Sequence, residues 1–308
     1  MIDLFDCRNP LRSLLDSVIL ADTEFRSRMQ FSIITPSFRS SQWLKLCIAS
    51  VADQEGVEFE HIVQDSCSDD GTQDWLPHDN RVKAFIEKDN GMYDAVNRGF
   101  RRANGEILAY INCDEQYLPG ALKKMSDFFE QHPEVDIVFG DCIVVDGSGS
   151  YLCERRALTP QLLHTWTCGN LSFLTAATFL RRRVLDQHQL WFNPKLRDVG
   201  DGDWALRVVK RNLHTAVLPV FTSVFTETGQ NMNLGINASR EREQFLKTAP
   251  TWMKTIQPFA LAYFRLRRWH AGHYRCEPHD YAIYTKENEN QRKTFGVLKP
   301  TFRWVRAR

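Results

Sequence analysis

The sequence predicts an α/β fold, a mostly parallel central sheet flanked by helices, with a helical appendage at its C-terminal end. Three observations carry this. From residue 31 to 140, short apolar runs rich in Ile, Val and Phe alternate with segments of helical periodicity. That alternation folds as parallel strands joined by right-handed crossovers. The apolar runs also end abruptly in polar residues, most sharply in ILAYINCDE at 107–115, where Asn112, Asp114 and Glu115 close a dry strand. Finally, residues 251–308 hold twelve Lys and Arg against four Asp and Glu, a balance of +8 that leaves −7 for residues 1–250.

The elements follow in order. Leu4, Leu11, Leu14, Leu15 and Val18 recur at helical spacing, so residues 1–30 read as an amphipathic helical extension. FSIITP at 31–36 is a first strand, and a helix follows through Trp43, Leu44, Cys47, Ile48 and Val51. FEHIVQ at 59–64 is the second strand; it ends at Asp65, before SCSDDGT, whose Asp-Gly suits a tight loop. Residues 82–87 supply a third strand and 93–103 a short helix. The run from 107 is the fourth strand, residues 119–131 a helix with Pro119 near its start, and DIVFG at 136–140 a fifth strand. A helix through Trp204, Leu206, Val208 and Val209 precedes HTAVLPV at 214–220, a further strand, and FTSVFTETGQNMN, a polar loop able to close over a site. Residues 238–256 and 258–270 read as helices. The expected units are therefore 1–30, a core domain over 31–235, and a basic helical extension over 236–308.

With 308 residues, 43% of them hydrophobic, the chain can bury a sizeable core. Its eight cysteines are scattered, with no CxxC pair and no His at zinc spacing, which predicts free thiols in a reducing compartment. The N-terminus carries acids early and lacks the pattern of a secretory signal. No stretch approaches the roughly 18 consecutive apolar residues of a membrane span. A cytoplasmic protein is expected, without a nucleic-acid partner. The basic end on an acidic body predicts an anionic surface partner, such as a membrane face or a phosphorylated carrier, or else a solvated appendage.

In a sheet of this kind, ligands sit beyond the carboxyl ends of the strands. Thr35, Asp65, Glu87 with Asp89, and Asn112 with Asp114 all fall at or just past such ends, so one crevice can collect them. An acidic crevice repels a bare phosphate, so a divalent cation is expected to accompany the ligand. No GxGxxG follows the first strand, which argues against a dinucleotide oxidoreductase.

FSIITPSF, EHIVQDSCSDDGT, EKDNGMYDAVNRG and GEILAYINCDE, followed by GALKKMSDFFEQHPEVDIVFGD, TAATFLRRRVL and DVGDGDWALRV, occur in this order over roughly 180 residues. In that order and spacing the chain resembles a family 2 glycosyltransferase with the Rossmann-like GT-A fold, an inverting nucleotide-diphospho-sugar transferase. The resemblance implies a nucleotide-sugar donor, UDP-linked by preference, and a saccharide or lipid-linked acceptor in surface polysaccharide or glycolipid synthesis. It implies that Asp65 accepts a bond from the base, that Thr35 and Pro36 line base and ribose, and that Asp89 and Asn97 contact the nucleotide or its phosphates. Asn112-Cys113-Asp114 stands at the DxD-type motif, with Asn112 toward the ribose and Asp114 on a Mg²⁺ or Mn²⁺. Asp201 aligns with the catalytic base. The motif departs from the usual pattern by its leading Asn and by Glu115, which leaves open whether Glu115 touches the metal.

Such chemistry needs these residue types. A divalent ion stabilises the charge that builds on a departing diphosphate, and a carboxylate must take the proton of the attacking hydroxyl. Asp198 competes with Asp201 for that task on spacing alone. Asp203 reads as charge complementarity at a helix start, and Arg207 as a carboxylate's partner that positions the loop. His61 reads as a core residue, while His164 and His214 lack metal spacing. Trp166, Phe173 and Phe179 could line an acceptor platform, but packing is the commoner role for aromatics. Arg181 to Arg183 could meet a phosphate or cover a helix end, and Gln230 and Asn231 could bond sugar hydroxyls or form a turn. A retaining transferase or nucleotidyltransferase, or a non-catalytic nucleotide-sugar-binding module, stays open beside the main reading.

Overall fold

The structure is a computed structural model that describes residues 30–229 and 236–304. The helix expected near the N-terminus, and Gln230 with Asn231, lie outside the described residues. The fold is built around β1 (Phe31–Ser37), buried along its whole length. β2 (Phe59–Asp65), β3 (Lys83–Ile86) and β4 (Ile107–Tyr110) join it in the order β3-β2-β1-β4, all parallel. The crossovers are helical: α1 (Ser41–Ala52) between β1 and β2, and α2 (Met92–Arg102) between β3 and β4. This half is the parallel sheet that the alternating pattern predicts.

The other half is mixed. β8 (Thr178–Arg181) lies antiparallel between β4 and β6 (Ile137–Asp146), and β6 runs parallel to β9 (Thr215–Glu227). β5 (Gln116–Tyr117) and β7 (Tyr151–Arg155) add antiparallel edges. α3 (Ala121–Gln131) precedes β6, α4 (Leu162–Cys168) precedes β8, and α5 (Gly200–Lys210) leads into β9.

Period-2 alternation sorts the strands into two layers. Ile34, Leu108 and Tyr110 join Tyr93, Phe100, Phe192 and Trp204 on one face, while Phe31, Ile33, Ile107 and Ala109 join Cys47, Leu122, Met125 and Phe129 on the other. Each fully buried Ile, Leu, Met or Phe among them contributes about 1.5–3 kcal/mol. One polar pair inside the sheet is satisfied locally: Ser32 donates to Glu60 at 2.6 Å, and that carboxylate also accepts the amide of Asn104 at 2.6 Å.

Three expectations are corrected. The polar loop expected from residue 221 is strand as far as Glu227, because β9 pairs with β6 along its length. The register slips where Gly140 faces Leu218 and Asp141 faces Phe221, and Pro219, with no N–H to give, falls in that bulge. The single helix expected over 238–256 is two, α6 (Ile236–Lys247) and α7 (Thr251–Thr255), parted at Pro250. α8 (Gln257–His270) follows. The C-terminal extension is also not wholly helical, since β10 (His279–Thr285) and β11 (Asn288–Val297) form an antiparallel hairpin. Tyr281, Ile283 and Val297 seal it against Leu118, Ile143, Val145 and Val224.

Candidate active site

Register brings the strand exits together. Ser37 pairs with Asp65, Asp65 with Ile86, and the amide of Ile111 donates to the Ile34 carbonyl at 2.9 Å. Above this rim opens a cleft of about 1590 Å³, and Pro36, Asp89, Asn112, Asp114 and Asp201 all border it. Acids far apart in sequence thus share one basin.

Three residues expected to touch a ligand do not border that cleft. Asp65 is fully buried just beneath the rim, and its two oxygens accept the Ser68 amide at 2.8 Å and the Ser68 hydroxyl at 2.6 Å; its neighbour Ser66 borders the cleft in its place. Thr35 is buried and shares a 2.9 Å hydrogen bond with the His61 ring, so His61 is the core residue expected of it. Asn97 clamps the backbone of Phe192, donating to its carbonyl at 2.8 Å and accepting its amide at 3.0 Å. These groups shape the walls.

Asp201 sits in the first turn of α5, its own amide donating to the Tyr93 hydroxyl at 3.1 Å and its Oδ1 accepting the Gly202 amide at 2.7 Å. Burial pushes its carboxyl up to about 6, although the bonds from Gly202, its own backbone and Tyr93 pull the other way. A carboxylate with that value is ionised at neutral pH yet basic enough to take a proton. Asp198 also borders the cleft, with its carboxylate accepting the Asn237 side-chain amide at 2.6 Å. Asp203 is off the cleft, paired with Arg207 at 2.9 Å, as a helix-start acid with an arginine partner should be.

The turn after β4 carries the second acidic group. The Asn112 amide donates to Glu115 at 2.8 Å, which folds the Glu115 side chain back into the turn. Burial pushes the carboxyls of Asp114 and Glu115 up, and the charge of Asp114 raises Glu115 further. Among the described residues no three His, Cys, Asp or Glu converge as a self-sufficient metal cage. The pair nevertheless fits a Mg²⁺ or Mn²⁺ of the kind that takes one or two carboxylates and completes its shell with substrate phosphates and water. A cation would relieve the cost of placing the half-buried Asp114 beside the buried Glu115.

Of the aromatics singled out, Phe173 borders the cleft, Phe179 is wholly core, and Trp166 donates to Thr248 at 2.9 Å away from it. Arg181, Arg182 and Arg183 are bound to backbone carbonyls or, for Arg183, to Asp136 at 2.6 Å, and none reaches the cleft. The sequence reading passed over Tyr93, although it stands in EKDNGMYDAVNRG, and over Glu241. Glu241 accepts the amides of Arg197, Asp198 and Val199 at 3.0, 2.9 and 3.1 Å and so ties α6 to the loop before Asp201. It also passed over Arg242, Arg268 and Lys286, which line the far wall of the cleft from the C-terminal extension.

Comparisons with known proteins agree with this architecture. The sequence profile described as Glycosyl transferase family 2 matches residues 32–189, half of the chain. The chain is 27% identical over 250 residues to a "PGL/p-HBAD biosynthesis glycosyltransferase" of Mycobacterium bovis, covering 78% of this chain and 90% of that protein. Its fold is similar to S. aureus TarS solved in complex with UDP-GlcNAc, with a TM-score of 0.57 and 21% identity, over 79% of this chain and 73% of that one. It is also similar to the mannosyltransferase PcManGT from Pyrobaculum calidifontis in complex with GDP-Man and Mn²⁺, with a TM-score of 0.50 and 16% identity, over 83% and 84%.

Proposed function

The chain belongs to glycosyl transferase family 2, and from that premise we propose that it moves a sugar from a nucleotide-diphospho-sugar, UDP-linked, to a hydroxyl of a saccharide or lipid-linked acceptor with inversion at the anomeric carbon. The observation that carries this is the shared cleft of Asp114 and Asp201, with Asp201 poised near neutral. In the proposed step the acceptor oxygen bonds the anomeric carbon, the sugar–phosphate bond breaks, the nucleoside diphosphate leaves with the bonding pair, and the Asp201 carboxylate takes the hydroxyl proton. Such a base contributes about 10²–10⁴-fold.

Asp114 would hold a Mg²⁺ or Mn²⁺, which when bound supplies Lewis-acid stabilisation to the diphosphate. Pro36, Asp89 and Asn112 line the side of the cleft where the nucleotide is proposed to lie, and Asp65 acts by holding the loop that carries Ser66. A setting in surface polysaccharide or glycolipid synthesis on the cytoplasmic side follows as part of the same reading.

The test is a thermal-shift panel of UDP- and GDP-linked sugars, with and without Mn²⁺, run beside a transfer assay. A donor that raises Tm by mass action, and an Asp201→Asn variant that keeps that rise but loses transfer, supports the reading. Turnover unchanged in Asp201→Asn would falsify the base assignment.

A further inference from the structure

Five of the seven large hydrophobic side chains exposed among the described residues lie on α7 and α8: Trp252 at 61%, Phe259 at 73%, Tyr263 at 54%, Leu266 at 55% and Trp269 at 66%. Phe259, Tyr263, Leu266 and Trp269 recur at intervals of four, three and three, which puts them on one face of α8. The opposite face is docked: Ala260 is buried, Phe264 stacks on His164 with ring centroids 3.9 Å apart, and Arg267 donates to Thr159. The apolar stripe is therefore not core turned outward by loose packing. It is a second face on a helix whose first face is satisfied.

Charge says what covers it. Residues 251–276 contain Lys254, Arg265, Arg267, Arg268 and Arg275 and no Asp or Glu, in a chain whose first 250 residues carry −7. Exposed Lys254, Arg265 and Arg275 stand among the exposed aromatics. Tryptophan, phenylalanine and leucine on one face with cations around them suit the headgroup layer of an anionic bilayer, where rings reach the acyl boundary and the cations meet phosphate. Among the described residues no helix is long and apolar enough to cross a membrane, so a helix of this kind lies on one.

We infer that α7 and α8 seat this protein on an anionic lipid surface through Trp252, Phe259, Tyr263, Leu266 and Trp269. The site is next to the chemistry. Phe264 and Arg268, on the inner side of α8, border the same cleft as Asp114 and Asp201, so a chain seated by the outer side presents its cleft beside the bilayer, where a lipid-linked acceptor resides. The location of that acceptor rests on the transferase reading above; the seating itself does not.

The experiment is co-sedimentation of the full chain with vesicles of phosphatidylcholine alone and of phosphatidylcholine with phosphatidylglycerol, for the wild type and for Phe259→Ser/Trp269→Ser. The expected result is pelleting with the phosphatidylglycerol vesicles only, reduced by salt and at least tenfold weaker in the variant, at unchanged Tm because both residues are exposed. Equal pelleting with the two vesicle types, or an unaltered variant, overturns the inference. So does a wild type that is dimeric in vesicle-free buffer and a variant that is monomeric, since the face is then an interface between copies. Donor-induced thermal shifts, measured without vesicles, separate the two readings: donor binding without vesicle binding overturns the seating alone, and vesicle binding without donor binding overturns the transferase reading alone.

Discussion

The Tyr93 hydroxyl accepts the backbone amide of Asp201 at 3.1 Å, and so joins the start of α2 to the start of α5 across the cleft. The ring is locked by stacking on Phe192 at 5.4 Å and by Gly200, where an added Cβ would come within 2.5 Å of the ring. The Tyr93 hydroxyl also lowers the proton affinity of the Asp201 carboxylate, against the larger effect of burial. Tyr93→Phe keeps the packing and removes the hydroxyl. The expected outcome is a several-fold loss in kcat with the acid limb of the pH–rate profile moved to higher pH, while donor-induced thermal shifts stay unchanged.

The wild-type profile itself has a defined sign. A general base acts when deprotonated, and burial raises Asp201, proposed for that role, to about 6. Transfer should therefore fall about tenfold for each pH unit below about 6 and level off above it. In Asp201→Asn the residual rate should lose this limb, a result read from kcat/KM across the acid range.

The legible and hidden parts of the molecule differ for physical reasons. β1, β2 and β4 are almost wholly buried, so β4 is a continuous apolar run and β1 and β2 are apolar at Phe31, Ile33, Ile34, Ile62 and Val63, and the polar residues at the strand ends mark the rim. Thr35 at a strand exit, and Asn97 through the family resemblance, read as site residues because a polar side chain has the same sequence signature whether it meets a ligand or, as here, satisfies His61 or, from the middle of α2, the Phe192 backbone. The hairpin went unread because β11 is mostly exposed and polar. The signal was in β10, where Tyr281, Ile283 and Thr285 alternate inward, with two residues separating the paired Thr285 and Asn288. The far wall was invisible because Arg242, Arg268 and Lys286 reach the cleft only through tertiary packing.

The same burial that tunes Asp201 costs stability. A carboxyl raised from its ordinary 3.8 to about 6 in the folded chain binds its proton more tightly there than in the unfolded chain. Stability therefore falls as pH rises from about 3.8 to about 6, and the deficit persists above that. The full shift corresponds to roughly 3 kcal/mol, and partial exposure reduces this to about 1–2 kcal/mol. Asp201→Asn should raise Tm by several degrees at neutral pH and leave it unchanged near pH 3.8. A variant less stable than the wild type at neutral pH would contradict the burial argument, whatever its activity.

Arg292 is the fastening of the C-terminal hairpin. Its guanidinium binds both oxygens of Asp53, at 2.5 and 2.7 Å, and donates to the carbonyls of Tyr117 at 2.9 Å, Ala282 at 2.8 Å and Ser50 at 3.2 Å. One side chain thereby joins β11 to β10, to the end of α1 and to β5, at 11% exposure. Lys286, in the hairpin turn, lies 3.9 Å over the Trp43 ring at the edge of the cleft, so the hairpin's position sets one stretch of the site wall. Arg292→Ala removes these five hydrogen bonds at once, although Tyr284 still donates to Asp53 at 2.9 Å and Gln54 to the Ser50 carbonyl at 3.0 Å, a loss of about 2–4 kcal/mol. The hairpin should then become the first segment cut in limited proteolysis, with amide exchange accelerated over 279–297 and KM raised more than kcat lowered, because Asp114, in the turn after β4, and Asp201, on α5, lie on other elements. If exchange in 279–297 stayed at wild-type rates, the hydrophobic contacts of Tyr281, Ile283 and Val297 alone would be sufficient to hold the hairpin in place.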